Sequence, residues 1–150
     1  MKKLVADSAK CTGCGVCEEV CSKAYYKVAD KEKSAIRIIK QVQREPGPSA
    51  SSDLGPDNAV PANEADPCFI ITVCDQCGVC KENCSIMALK TSENGVVRLD
   101  KKICTGCLVC VGECLRDYMR YHDDLPTPFK CVACGLCAKQ CPAGAIWLEP

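Results

Sequence analysis

The chain has 150 residues, 19 Lys and Arg against 19 Asp and Glu, 17 cysteines, and only 5% aromatics. So few large apolar side chains make a thin core for this length, and something besides side-chain packing must stabilise the fold. The balanced charge without a basic run speaks against nucleic-acid binding, and no stretch approaches the ~18 apolar residues of a membrane-spanning helix.

The opening residues Met1 to Asp7 lack the apolar run of roughly 7–15 residues that marks an export signal, so a cytoplasmic setting with reduced thiols is expected. Leu4–Ala6 reads as a strand, followed by a cysteine run from Cys11 to Cys21 that ends in a short helix over Glu18–Lys23. Ala35–Ile39, with Ile36, Arg37 and Ile38 alternating, reads as a second strand. Glu45–Pro67 holds five of the nine prolines and no aromatic, and cannot form a core of its own. It is expected as a long loop, either a surface excursion or, the favoured reading, an arm that orders against a partner subunit. Phe69–Val73 is a third strand. Asn94-Gly95 signals a hairpin turn between Leu89–Thr91 and Val96–Leu99. A helix is expected over Glu113–Tyr121. The sum is a small α+β chain of repeated strand, loop and short-helix units.

Self-comparison organises the whole. Sixteen cysteines follow one pattern, C-x-x-C-x-x-C-x-x-x-C, four times: Cys11, Cys14, Cys17, Cys21; Cys74, Cys77, Cys80, Cys84; Cys104, Cys107, Cys110, Cys114; Cys131, Cys134, Cys137, Cys141. The residue before the third cysteine is always apolar (Val16, Val79, Val109, Leu136). The one after the second is glycine in three copies (Gly15, Gly78, Gly135) and Leu108 in the other. Glycine there permits positive φ, so that the loop curls its amides toward a ligand.

Three thiolates at i, i+3 and i+6 grip one face of a cube-shaped cluster, and the fourth cysteine of such a run ligates the other cluster of a pair. Four runs therefore predict two pairs and four [4Fe–4S] clusters. Zinc would call for paired C-x-x-C knuckles a dozen or more residues apart, and disulfides for an oxidising compartment without regular triplets. Each oxidised cluster with its four thiolates carries a net charge of about −2, which takes the chain from 0 to about −8. Lys10, Lys23, Lys81, Lys102, Lys130 and Lys139 lie beside the runs, where solvated surface lysines are the first expectation and offsetting that field the second.

The four runs, with 20 residues from Cys84 to Cys104 and 17 from Cys114 to Cys131, resemble the four-cluster electron-transfer subunits of the dimethyl sulfoxide reductase type. Such subunits accompany molybdenum or tungsten enzymes, formate dehydrogenases and some hydrogenases. The resemblance implies two bacterial-ferredoxin-like dicluster modules: an outer one from residues 1–44 and 115–150, an inner one from 68–114, and a Pro/Ser-rich loop at 45–67. It also implies the ligand sets. One outer cluster takes Cys11, Cys14, Cys17 and Cys141, and its mate Cys131, Cys134, Cys137 and Cys21. The inner pair takes Cys74, Cys77, Cys80 with Cys114, and Cys104, Cys107, Cys110 with Cys84.

The stretches CTGCGVCEEVCS, DKEKSAIRI and YHDDLPTPFKCVACGLCAKQCP resemble the small iron–sulfur subunits beside tungsten-containing aldehyde oxidoreductases, and also carbon monoxide dehydrogenase- and hydrogenase-linked ferredoxins. The implied partners are a large tungsten- or molybdenum-pterin catalytic subunit and a further electron carrier or flavin-containing subunit. The chain departs from the family where Ser22, Ser85 and Leu115 replace the proline after the fourth cysteine, kept only as Pro142. Ser22 or Ser85 is placed to hydrogen-bond a cluster sulfur.

Cys68, outside the runs, is expected as a small buried hydrophobe. His122 is expected at a surface or interface, and Trp147, Tyr25, Tyr26, Tyr118 and Tyr121 as packing around clusters or at an interface. No nucleophile with a base and no open metal position stands out, so the reading is a non-catalytic electron relay. Rivals are a free polyferredoxin, a subunit of a hydrogenase, formate dehydrogenase or carbon monoxide dehydrogenase, and clusters that only staple the fold. Two pairs in line would leave an outer cluster at each end, an arrangement compatible with end-to-end self-association.

Overall fold

Backbone handedness makes the four cysteine runs fold alike. In the computed structural model, which describes residues 2–41 and 68–150, the residues on both sides of each second cysteine have positive φ: Gly13 and Gly15, Gln76 and Gly78, Gly106 and Leu108, Ala133 and Gly135. Two left-handed residues around one cysteine turn the loop in on itself. The Gly13 amide donates to Cys11 Sγ and the Ala133 amide to Cys131 Sγ, each at 3.4 Å. Directly after the second left-handed residue a helix starts: α1 Val16–Tyr26, α2 Val79–Glu82, α3 Val109–Gly112 and α4 Leu136–Gln140. Leu108 sits at φ 61° without glycine's freedom, a conformation that costs about 1–2 kcal/mol for an ordinary residue.

The expected helix over Glu113–Tyr121 is not formed. Helix α3 stops at Gly112, and after Cys114 the backbone turns back: Asp117 is left-handed and its amide donates to the Cys114 carbonyl at 3.0 Å. Met87 and Gly144 make the same turn after Cys84 and Cys141. The first run alone continues, as α1, until left-handed Lys27 donates its amide to the Lys23 carbonyl. Inside α1 the Ser22 hydroxyl donates to the Glu19 carbonyl at 3.0 Å and accepts from the Asp30 amide at 3.1 Å. Both partners are backbone groups, so Ser22 holds the helix to the loop that follows rather than facing a cluster sulfur.

The strands form four antiparallel pairs. β1 (Lys3–Ala6) pairs with β8 (Ile146–Glu149), joining the two ends of the described chain, with Leu4 opposite Leu148. β2 (Arg37–Gln41) pairs with β3 (Cys68–Thr72), and Gln41 faces Cys68. β4 (Leu89–Thr91) and β5 (Val97–Leu99) form the hairpin that Asn94-Gly95 signalled. β6 (Met119–Arg120) pairs with β7 (Phe129–Lys130). The second strand begins two residues later than the alternation suggested, because the Ser34 hydroxyl bonds the Ile36 carbonyl at 2.7 Å and holds that turn out of the sheet. The Glu45–Pro67 segment lies outside the described residues.

Two cores result. The larger gathers Leu4, Ile36, Ile71, Phe129 and Ile146 around Cys17, Cys21, Cys74, Cys131 and Cys137. The smaller gathers Leu89, Val97 and Met119 around Cys80 and Cys110. Helix α1 packs on α4, and α2 on α3, so first meets fourth and second meets third. The division is not clean at its edges: β3 pairs with β2 of the outer half, while Met119 packs into the inner core. Among the described residues no helix is long and apolar enough to cross a membrane.

Two glycine substitutions separate strain from crowding. Gly78→Ala meets nothing within 4 Å and should lose only the left-handed penalty, about 1–2 kcal/mol. Gly106→Ala adds a Cβ 2.5 Å from the Pro126 carbonyl oxygen, a backbone atom that cannot step aside. Denaturant unfolding of the two cluster-loaded variants should show the larger loss for Gly106→Ala, and equal losses would contradict this account.

Candidate metal centre

Each run presents its thiols at graded depth, because the left-handed turn puts the second cysteine outermost and the helix carries the third inward. Cys14, Cys77, Cys107 and Cys134 are exposed, whereas Cys17, Cys80, Cys110 and Cys137 are buried. All seventeen cysteines are free of disulfides. Burial pushes the thiols of Cys17, Cys131 and Cys137 up to about 12 and that of Cys110 up to about 11. Neighbouring groups add to this, Glu18 beside Cys17 and other thiols beside Cys137 and Cys110. A group of buried sulfurs that resist ionisation alone is a site that asks for a cation.

The sulfurs are arranged around voids. Cys11, Cys14 and Cys17 share one with Cys141, closed by Ile38, Ile71 and Ile146. Cys131, Cys134 and Cys137 share a second with Cys21, closed by Leu4, Ile36 and Tyr25. Cys74, Cys77 and Cys80 share a third, about 190 Å³, with Cys114. The fourth set is drawn together less tightly: Cys104 and Cys107 lie around Cys110, and Cys84 packs against the small core that contains Cys110.

The donor set fits [4Fe–4S] clusters better than single ions. Zinc would draw four sulfurs to about 2.3 Å from one point, whereas here four sulfurs from two runs line each of three voids. Amides are also aimed at the sulfurs, from Ala35 to Cys21 Sγ at 3.4 Å and from Tyr118 to Cys114 Sγ at 3.2 Å. Tyr25 lines the second void with its hydroxyl buried near the Val132 amide but in no well-formed hydrogen bond. An orphaned donor of that kind suits a sulfide-rich guest.

Three side chains matter here that sequence reasoning passed over or misplaced. Glu18, 5% exposed, accepts from the Ile38 amide at 2.9 Å and ties α1 to β2. Gln76, 2% exposed, donates to the Cys131 carbonyl at 2.9 Å and accepts from the Val97 amide at 3.1 Å. Lys130, expected in solvent like its fellows, is 3% exposed, because the apolar β7 segment carries it inward. Cys68 reverses its expectation too: it is exposed, at the end of the two-stranded β2–β3 pair opposite Gln41. His122 is partly covered and its Nδ1 accepts from the Asp124 amide at 3.1 Å, fixing a turn. Tyr26 packs edge-on against Phe129, as expected, whereas Trp147 is exposed with Lys10 over its ring, and Tyr121 is exposed too.

The depth gradient is measurable. On the cluster-free protein near pH 8, iodoacetamide should label Cys14, Cys68, Cys77, Cys107 and Cys134 before the buried thiols, since only an accessible thiolate reacts. Peptide mass mapping over time checks the order, and early labelling of Cys17, Cys131 or Cys137 would contradict it.

Comparison with known proteins agrees with this chemistry. A family model described as a 4Fe–4S binding domain matches residues 127–147, and another of the same description matches residues 8–26. The B subunit of anaerobic dimethyl sulfoxide reductase from Escherichia coli (strain K12) is 28% identical over 96% of this chain and 71% of its own length. The subunit beta of NADH-dependent phenylglyoxylate dehydrogenase from Aromatoleum evansii is 30% identical over 93% of this chain, which spans only 28% of that protein. Among solved structures, the active site complex BamBC of benzoyl coenzyme A reductase with benzoyl-CoA covers 99% of this chain and 79% of its own, at TM-score 0.48 and 19% identity. The chain thus carries two stretches that match 4Fe–4S binding domains and is similar over nearly all its length to the B subunit of dimethyl sulfoxide reductase, as expected of a protein that holds iron–sulfur clusters.

Proposed function

We propose that the chain relays single electrons through four [4Fe–4S] clusters between a catalytic oxidoreductase subunit and a further redox partner. The observation that carries this is the lining of the three voids: each joins the triplet of one run to the fourth cysteine of its pair-mate. The ligand sets are Cys11, Cys14, Cys17, Cys141; Cys131, Cys134, Cys137, Cys21; Cys74, Cys77, Cys80, Cys114; and Cys104, Cys107, Cys110, Cys84. A bound [4Fe–4S] cluster supplies reversible one-electron storage.

The protein's own residues hold, insulate and expose. Ile36, Ile38, Ile71 and Leu4 close the outer pair against water, and amides from Ala35 and Tyr118 stabilise charge on sulfur. The exposed second cysteine of every run brings one edge of each site to the surface, where a partner's redox centre gains the short separation that outer-sphere transfer needs. The similarity to the B subunit of dimethyl sulfoxide reductase supports a catalytic reductase-type partner, and the resemblance of the cysteine runs to its type favours a metal-pterin one. The opening and closing stretches favour tungsten and an aldehyde oxidoreductase, in the cytoplasm.

The pairing is testable with single substitutions. Cys74→Ala and Cys114→Ala should abolish the same electron paramagnetic resonance signal of the reduced protein. Cys84→Ala should instead remove the one lost in Cys107→Ala. Anaerobic wild type should contain about 16 iron atoms per chain, and should co-purify from its host with a large tungsten or molybdenum subunit. Loss of one signal by Cys114→Ala and Cys107→Ala together would refute the exchange of fourth ligands, and recovery of a lone chain would favour a free polyferredoxin.

A further inference from the structure

The void shared by Cys74, Cys77, Cys80 and Cys114 is lined by two cations of opposite character. Arg116 is largely exposed and paired with Asp75. Lys130 is 3% exposed, and its Nζ donates to Gln76 Oε1 at 2.8 Å. Among the described residues no carboxylate lies within ion-pair distance of it. A neutral amide oxygen does not compensate a buried ammonium, so an anion must be supplied by something else in that void. The ammonium is close enough to the Cys74 and Cys80 sulfurs to oppose the effect of burial on both.

Gln76 fixes where that charge sits. It is buried at left-handed φ 63°, between the first two cysteines of the second run. Its amide nitrogen binds the Cys131 carbonyl of the fourth run, while its oxygen takes both Lys130 and the Val97 amide. Lys130 itself directly precedes Cys131. One buried glutamine and one buried lysine therefore stand where the inner and outer halves meet.

We propose that Lys130 is the buried counter-ion of the cluster held by Cys74, Cys77, Cys80 and Cys114, and that, positioned by Gln76, it raises that cluster's reduction potential. The inference rests on the ligand sets above. The sign follows from charge: reduction takes the cluster from about −2 to about −3, so a fixed cation in a dry site favours the reduced form. The surface lysines, screened by water, do so far less.

The test is an anaerobic redox titration followed by electron paramagnetic resonance, with the relevant signal identified as the one missing in Cys74→Ala and Cys114→Ala. Lys130→Met should lower that cluster's midpoint by at least about 59 mV, a tenfold shift in a one-electron equilibrium. Lys139→Met, at the surface beside Cys141, should move every midpoint less, and Lys130→Arg should preserve the wild-type value. An unchanged midpoint in Lys130→Met with full iron content overturns the proposal, as does a shift confined to another cluster. If Lys130→Met fails to hold the cluster, Lys130→Gln, which keeps a donor for Gln76, is titrated instead. Cluster loss in both neutral variants but not in Lys130→Arg upholds the counter-ion role, and loss in all three overturns it. If Cys74→Ala and Cys114→Ala remove different signals, the ligand set has failed, a result independent of the Lys130 variants.

Discussion

Sulfur serves as the interior of this protein. Five of the twelve buried residues of the larger core, and two of the five in the smaller, are cysteines. Without metal these are neutral thiols pressed into apolar surroundings, with the deepest pushed to about 12. With metal they become thiolates, and the same burial that opposed ionisation now concentrates the attraction between sulfur and iron. Metal loading therefore adds to the stability of the fold, because the guest binds the folded arrangement of sulfurs in preference to the unfolded chain. The scarcity of aromatic residues is a corollary, since the clusters take the space that large side chains fill elsewhere.

From this constraint the architecture follows. A loop that must wrap three sulfurs around one guest needs two left-handed residues beside the central cysteine, and all four loops have them whether or not glycine is available. Helices α1 and α4, like α2 and α3, pack as couples; on the ligand sets proposed above, the fourth sulfur of each run serves its neighbour, and shared ligation would lock each couple. Between halves the connection is of another kind: the β6–β7 ribbon, the exchange of Met119, and the Gln76–Lys130 contact.

The site was more legible in the sequence than the fold around it. Cysteine spacing is a local pattern with one chemical meaning, and it located the four loops and the left-handed glycines Gly15, Gly78 and Gly135, but not the left-handed residue before each second cysteine nor the helix starts at Val16 and Val109. The Asn94-Gly95 hairpin also read well, its two strands being neighbours in the sequence, and Leu4–Ala6 was recognised as a strand without its partner. What failed was non-local. The polar run after Cys114 suits a helix by composition, but a turn anchored on the Cys114 carbonyl claims it. β8 depends on a partner at the other end of the described chain, and the two-residue strands β6 and β7 are too short to show an alternation. Lys130 is the instructive miss: its charge argues for solvent, and only the buried Thr127, Pro128 and Phe129 leading into it reveal the opposite direction. Cys68 fails for the converse reason, since an apolar-looking strand start is buried only if another layer covers it.

The register of β2 against β3 has a consequence for how such a protein changes over generations. Gln41 and Cys68 face one another across the ladder, so the backbone departs and returns at adjacent points. Closing a longer excursion there raises the entropic cost slowly, by roughly 0.6 kcal/mol per doubling. At that ribbon end, then, a change in chain length is met by a small entropic cost at a closed rung rather than by a new geometry for the strands.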